Sequence, residues 1–261
     1  MANKKSFFGV AGVAALASLA LSTAALADDD VNKFGYSISI TGVSDYLFRG
    51  VSLTSGDPAF QPFVEFTYGK SDLTWYLDFW GSNVHDRDLY GVTGAGDPME
   101  VDIYAGVRPV TGPVSWDIGV LYYTNPEAVR PGDTDYVEFK IAASVTPVTN
   151  LTLSVTGYAT PDQKNYSQTE TVEGLASYTL PKFAMFDPTF SAGVGYTTSS
   201  AADFFANGRD SYTYWNAGIK LAVDKYFMDF RYWDTDLTKS QMGGLNDAAA
   251  RFVFSAGVNL P

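Results

Sequence analysis

The sequence predicts an all-β protein, an antiparallel transmembrane β-barrel of about 12 strands following a cleaved signal peptide. Three observations predict it. Apolar and polar residues alternate with a period of two along most of the chain, the pattern of strands with one apolar and one polar face. Connections sort by parity, mostly short after even strands and longer and polar after odd ones. A barrel with short periplasmic turns and long outer loops produces that sorting, whereas a soluble sandwich has no reason to. Aromatic residues make up 15% of the 261 residues, with 17 Tyr and 18 Phe, and many fall near strand ends. Two such belts suit two membrane interfaces.

The chain opens Met1-Ala2-Asn3-Lys4-Lys5, continues small and apolar to Leu21, and reaches Ala25-Leu26-Ala27. A charged start, an apolar core and a small-x-small site are a secretory signal, so residues 1–27 read as the signal and 28–261 as the barrel domain. After it, no window holds 18 consecutive apolar residues, so no membrane-spanning helix is expected. Cysteine is absent. A secreted domain without disulfides must hold itself together by architecture, and a closed barrel does so.

Residues 34–50 form the expected first strand, with Tyr36, Ile38, Ile40, Tyr46 and Phe48 on one parity and Asp45 and Arg49 on the other. Residues 59–69 and 73–83 follow, joined by a tight turn at 69–72; a long polar loop covers 84–98. Residues 99–108 and 114–125 are strands four and five, joined at 109–113. After a loop to 133, strands six and seven show the pattern most plainly. Val137, Phe139, Ile141 and Ala143 alternate with Glu138, Lys140, Ala142 and Ser144; then Leu151, Leu153 and Val155 alternate with Thr152, Ser154 and Thr156. Residues 147–150 are the turn between them. Strands at 169–180, 188–198, 210–223, 226–236 and 248–260 complete the twelve, at roughly ten residues each, the length a tilted strand needs to cross a bilayer.

Parity assigns the charges. Asp45, Glu65, Asp78, Asp102, Asp117, Glu138, Glu173 and Asp229 are expected inside, with Arg49, Arg108, Lys140, Lys220, Arg231 and Arg251. These are the candidates for a lumen or constriction. Trp80, Tyr76, Tyr104 and Tyr123 share the inward parity and would narrow it. Asp45 and Arg49, four apart on one strand, would lie about 13 Å apart on one face, so each needs a cross-strand partner.

Tyr46-Leu47-Phe48-Arg49-Gly50 after Ser44-Asp45, then Asp57-Pro58-Ala59-Phe60-Gln61 and Trp80-Gly81-Ser82-Asn83, resemble the TorF family of porins. The resemblance covers essentially the mature chain, with its sharp motifs in the first third. It implies an outer-membrane barrel and a channel role. One departure is the end, Asn259-Leu260-Pro261, where such barrels usually close on an aromatic residue; this weakens the terminal signal read by the barrel assembly machinery.

A formal charge of −12 argues against nucleic acid as a partner. No HExxH, GxSxG, P-loop or EF-hand pattern occurs, so neither an enzyme nor a cofactor or metal is expected. The one histidine, His85, lies in a long loop beside Asp86 and Asp88 and reads as solvated, as do Asp28-Asp29-Asp30. The expected partners are outer-membrane lipid and small hydrophilic solutes, diffusing through a weakly cation-preferring pore whose N-terminus is periplasmic. A plugged binding barrel without conductance and an outer-membrane hydrolase are the other readings.

Overall fold

The computed structural model describes residues 31–85, 99–126, 135–164, 166–202 and 204–261. Twelve long strands close a single antiparallel barrel, and two short ones form a separate hairpin. In chain order they are β1 Lys33–Val43, β2 Leu47–Phe48, β3 Val51–Ser52, β4 Ala59–Lys70, β5 Leu73–Asn83, β6 Met99–Thr111 and β7 Val114–Thr124. They continue as β8 Tyr136–Val148, β9 Leu151–Thr160, β10 Thr169–Thr179, β11 Asp187–Ser199, β12 Ser211–Val223, β13 Tyr226–Thr235 and β14 Arg251–Leu260. Each barrel strand pairs with its chain neighbour, and β1 closes the ring by pairing with both β4 and β14. Closure leaves no edge strand in the barrel, as a lipid environment requires.

The two faces follow the period. Phe66, Trp75, Leu77, Ile118, Val120 and Ile141 point outward and are exposed, while their neighbours Tyr76, Asp78, Asp117 and Glu138 point inward and are buried. A soluble protein would show the reverse; here the apolar face is the outer one. Trp75 and Tyr226 stand exposed near the short-turn end, and Tyr122 and Tyr196 near the other. Four short turns hold two residues each, including Thr149-Asn150 and Asp224-Lys225; the fifth runs through 180–186. The described parts of the remaining connections lie at the opposite end.

The structure corrects the sequence reading at the first strand. β1 stops at Val43, and residues 44–58 turn into the barrel and carry the β2–β3 hairpin. Tyr46 and Phe48, expected on the apolar outer face of the first strand, are buried inside, Tyr46 completely. Arg49 and Gly50 both have positive φ, 47° and 82°. This is the two-residue turn whose twist matches a hairpin, and it ends the extended strand that alternation alone would continue. Asp45 and Arg49 therefore do not share a strand face.

Candidate functional site in the lumen

The lumen is organised by that hairpin. Its base is held by Asp45, which accepts hydrogen bonds from Ser52 Oγ (2.5 Å), Thr54 Oγ1 (2.8 Å) and Gly56 N (3.3 Å) through one oxygen, and pairs with Arg251 on β14 through the other. Tyr46 packs its ring on Trp80 at 5.3 Å and donates its hydroxyl to Glu100 (3.1 Å). Burial, then the Glu100 and Asp102 carboxylates, push the Tyr46 phenol well above its usual pKa, so it remains a donor.

At the tip, Arg49 Nη2 bridges both oxygens of Glu138 at 3.0 and 2.9 Å. The guanidinium lies 4.5 Å from the ring of Phe48 and 4.9 Å from that of Tyr158. Burial opposes the charge on Arg49, and Glu138 together with Tyr214, Tyr123 and Glu173 outweighs it, holding the guanidinium above its usual pKa. Glu138 also accepts from Tyr123 Oη (3.0 Å) and Thr160 Oγ1 (3.1 Å). Both partners in the ion pair are nearly inaccessible, with side-chain exposures of 5% and 1%. Gly50 permits this fit. A Cβ there would lie 2.6 Å from Thr235 Cγ2 and 2.9 Å from Tyr214 Cβ.

Around the hairpin runs a path of touching rings, Tyr104, Tyr123, Tyr136, Tyr166, Phe204, Phe205, Tyr212 and Tyr214, with centroids 4.0 to 6.3 Å apart. Above it, Leu237, Met242 and Ala248 from the last long connection pack with Val51, Ala206 and Tyr212. Ser52 N donates to Asp247 O (2.8 Å), tying the hairpin to that cover.

Below the hairpin a second cluster lines one wall. Arg108 pairs with Glu65 (2.6 Å) and reaches Asp78 (3.9 Å) and Asp117 (3.7 Å); Lys140 pairs with Asp117 (2.7 Å). Tyr76 donates to Asp117 (2.8 Å) and carries Arg108 4.2 Å above its ring. It reaches there by crossing Gly106 and Gly119, where a Cβ would strike its phenol. These charges keep contact with water: side-chain exposure is 32% at Arg108, 23% at Lys140 and 20% at Glu65.

The opposite wall holds Arg231, bonded to Asp229 (3.1 and 3.0 Å), Asn216 (2.7 Å) and Ser191 (2.9 Å). Lys220 sits opposite Asp229 in register, and Glu173 accepts from Tyr214 Oη at 2.6 Å. Asp102 is fully buried; Tyr104 donates to one oxygen (2.6 Å), and the other has no hydrogen-bond partner.

The comparisons with known proteins agree with this architecture. The model of a bacterial family described as a protein of unknown function, Gcw_chp, matches residues 27–256. The chain belongs to the Gcw_chp family. No curated protein matches the sequence. Among solved structures, the NanC porin is 10% identical with a TM-score of 0.56, covering 86% of this chain and 99% of its own. The KdgM porin in complex with disordered oligogalacturonate is 8% identical with a TM-score of 0.52, covering 86% and 98%. At such identities the likeness is one of fold, a closed antiparallel barrel.

In this Gcw_chp barrel the inward candidates divide into three groups, with Asp102 apart from them, buried against Tyr104. Asp45, Arg49, Glu138 and Arg251 hold the hairpin; Glu65, Asp78, Arg108, Asp117 and Lys140 form the lower cluster; Asp229, Arg231, Lys220 and Glu173 lie on the far wall. Sequence reasoning missed Glu100, although its parity with Asp102 on β6 was a sufficient signal. It also missed Tyr158 as the ring beneath Arg49. His85 donates its backbone N–H to Leu53 O (2.8 Å). The signal segment 1–27, the acids at 28–30, Asp86, Asp88 and most of the 84–98 loop lie outside the described residues.

Proposed function

We propose that the protein is an outer-membrane channel through which small hydrophilic solutes diffuse passively, narrowed near the long-loop end of the lumen by the 44–58 hairpin. One observation carries this reading. The barrel is closed and apolar outside, and its inner charges retain contact with water beneath the hairpin. The porin likeness of NanC and KdgM and the TorF-like motifs support the same assignment. Residues 1–27 act as the export signal, the barrel assembly machinery inserts the chain, and the N-terminus is periplasmic.

The pore prefers cations weakly. The inward acids exceed the inward bases, and Glu100 adds to them. A negative lumen concentrates cations, an effect that high salt screens. Asp102 and Asp78 are buried, whereas Glu65 keeps 20% of its side chain exposed and can meet a passing ion. Reversal potential across a KCl gradient in planar bilayers is expected on the cation side and closer to zero in Glu65→Gln. A clear anion preference would overturn the selectivity. The tightly seated hairpin tip favours a second reading, a plugged binding barrel; absence of conductance in wild type and in hairpin variants alike would select it.

Orientation has its own test. A protease-cleavable tag in the 237–247 connection is expected to be cut on intact cells, and one at 147–150 only after the outer membrane is broken. The opposite pattern would invert the topology.

A further inference from the structure

The Arg49 slot is assembled in two halves of different origin. The receptor half belongs to the barrel wall: Glu138 on β8, oriented by Tyr123 on β7 and Thr160 at the end of β9, with Tyr158 on β9 offering a ring face. The occupant half, Arg49 with Phe48 beside it, arrives on a two-residue turn outside the barrel ladder. Besides Arg49, Glu138 has one wall hydrogen bond on each oxygen, from Thr160 and from Tyr123, and these do not involve the hairpin.

From this we propose that the wall half is a binding site for small solutes bearing a guanidinium group, and that Arg49 is its built-in occupant, displaced when such a solute arrives. The chemistry is specific to that class. A planar, weakly hydrated cation can lie on the Tyr158 ring while its N–H edge meets the carboxylate, as Arg49 does at 2.9 and 3.0 Å. A compact, strongly hydrated cation such as Na⁺ gains little from the ring and loses its water to enter a buried slot. A carboxylate as buried as Glu138 is costly to leave without a cation, so the hairpin leaves readily only when another cation takes its place. Solute arrival and opening of the constriction are thereby linked. This linkage rests on the channel reading; the binding site itself does not.

The test uses the full-length barrel refolded in detergent micelles. Arg49→Ala empties the slot, and methylguanidinium chloride is titrated into it by calorimetry at constant ionic strength, with methylammonium and methylurea as controls. The expected result is saturable binding, at least tenfold tighter than methylammonium and absent for methylurea. Replacing Glu138 by Gln in the same background should weaken it at least tenfold; Tyr158→Leu, which leaves the carboxylate in place, should weaken it severalfold and serves where the Glu138 variant does not fold. No saturable binding, or binding indifferent to both wall changes, would overturn the site. In bilayers, methylguanidinium is expected to raise the open probability of the wild-type channel and methylammonium is not. Binding without that response would overturn the displacement step. Binding with no conductance in any variant would overturn the channel reading and leave the site standing.

Discussion

Gly50→Val is expected to lift the tip of the hairpin out of its slot while leaving the barrel closed. The backbone at this position has φ +82°, where a Cβ costs about 1–2 kcal/mol and a branched side chain is worse placed. The slot has no room either, with Thr235 Cγ2 at 2.6 Å and Tyr214 Cβ at 2.9 Å from the added atom. Overpacking of that kind adds about 1–3 kcal/mol. Set against the buried ion pair and ring contacts of the tip, the sum is large enough to lift that tip, while the Asp45 network and Tyr46 keep the base seated. Trypsin reports this without reference to transport. The bond after Arg49 is buried in wild type and should become cleavable from the long-loop side in the variant, with a severalfold rise in conductance in parallel. Equal resistance of the two proteins to trypsin would show that the hairpin tolerates the side chain and that the fit at Gly50 is not limiting.

The second large effect concerns the outer wall. Ile141→Arg sets a charge on the lipid face near the middle of β8, at a cost of about 2–4 kcal/mol. Lys140, one residue away, faces the lumen and pairs with Asp117 while remaining partly open to water. Its loss leaves Asp117 with the Tyr76 hydroxyl and with Arg108 at 3.7 Å, so Lys140→Ala should cost about 1 kcal/mol or less. Urea titration of the folded, heat-modifiable form in lipid vesicles compares the two. Equal destabilisation would contradict the assignment of faces.

That assignment was legible from the sequence because membrane barrels write it redundantly. Each strand alternates, so Ile141 and Lys140 are sorted by their neighbours as much as by themselves, and an error in one strand would conflict with the next. The loop lengths repeat the same information at a larger scale. Closure of twelve strands, the short-turn end and the inward set from Glu65 to Arg231 all follow from period and spacing.

The occupied lumen does not follow. Tyr46, Phe48 and Arg49 keep the alternation of β1, and alternation reports which residues share a face, not where the chain leaves the sheet. The one local hint was Gly50, a residue suited to the positive φ that the turn requires. Even that could not say that the turn points inward, because the partners that hold it are remote in sequence: Glu138 lies 89 residues from Arg49, and Arg251 lies 206 from Asp45. Sequence by itself determined the wall, since a strand's two faces are set by its own residues and by the medium on either side. Only the tertiary structure decided what fills the lumen, because a carboxylate becomes a slot for a guanidinium only when closure of the ring brings β7, β8 and β9 around the returning chain.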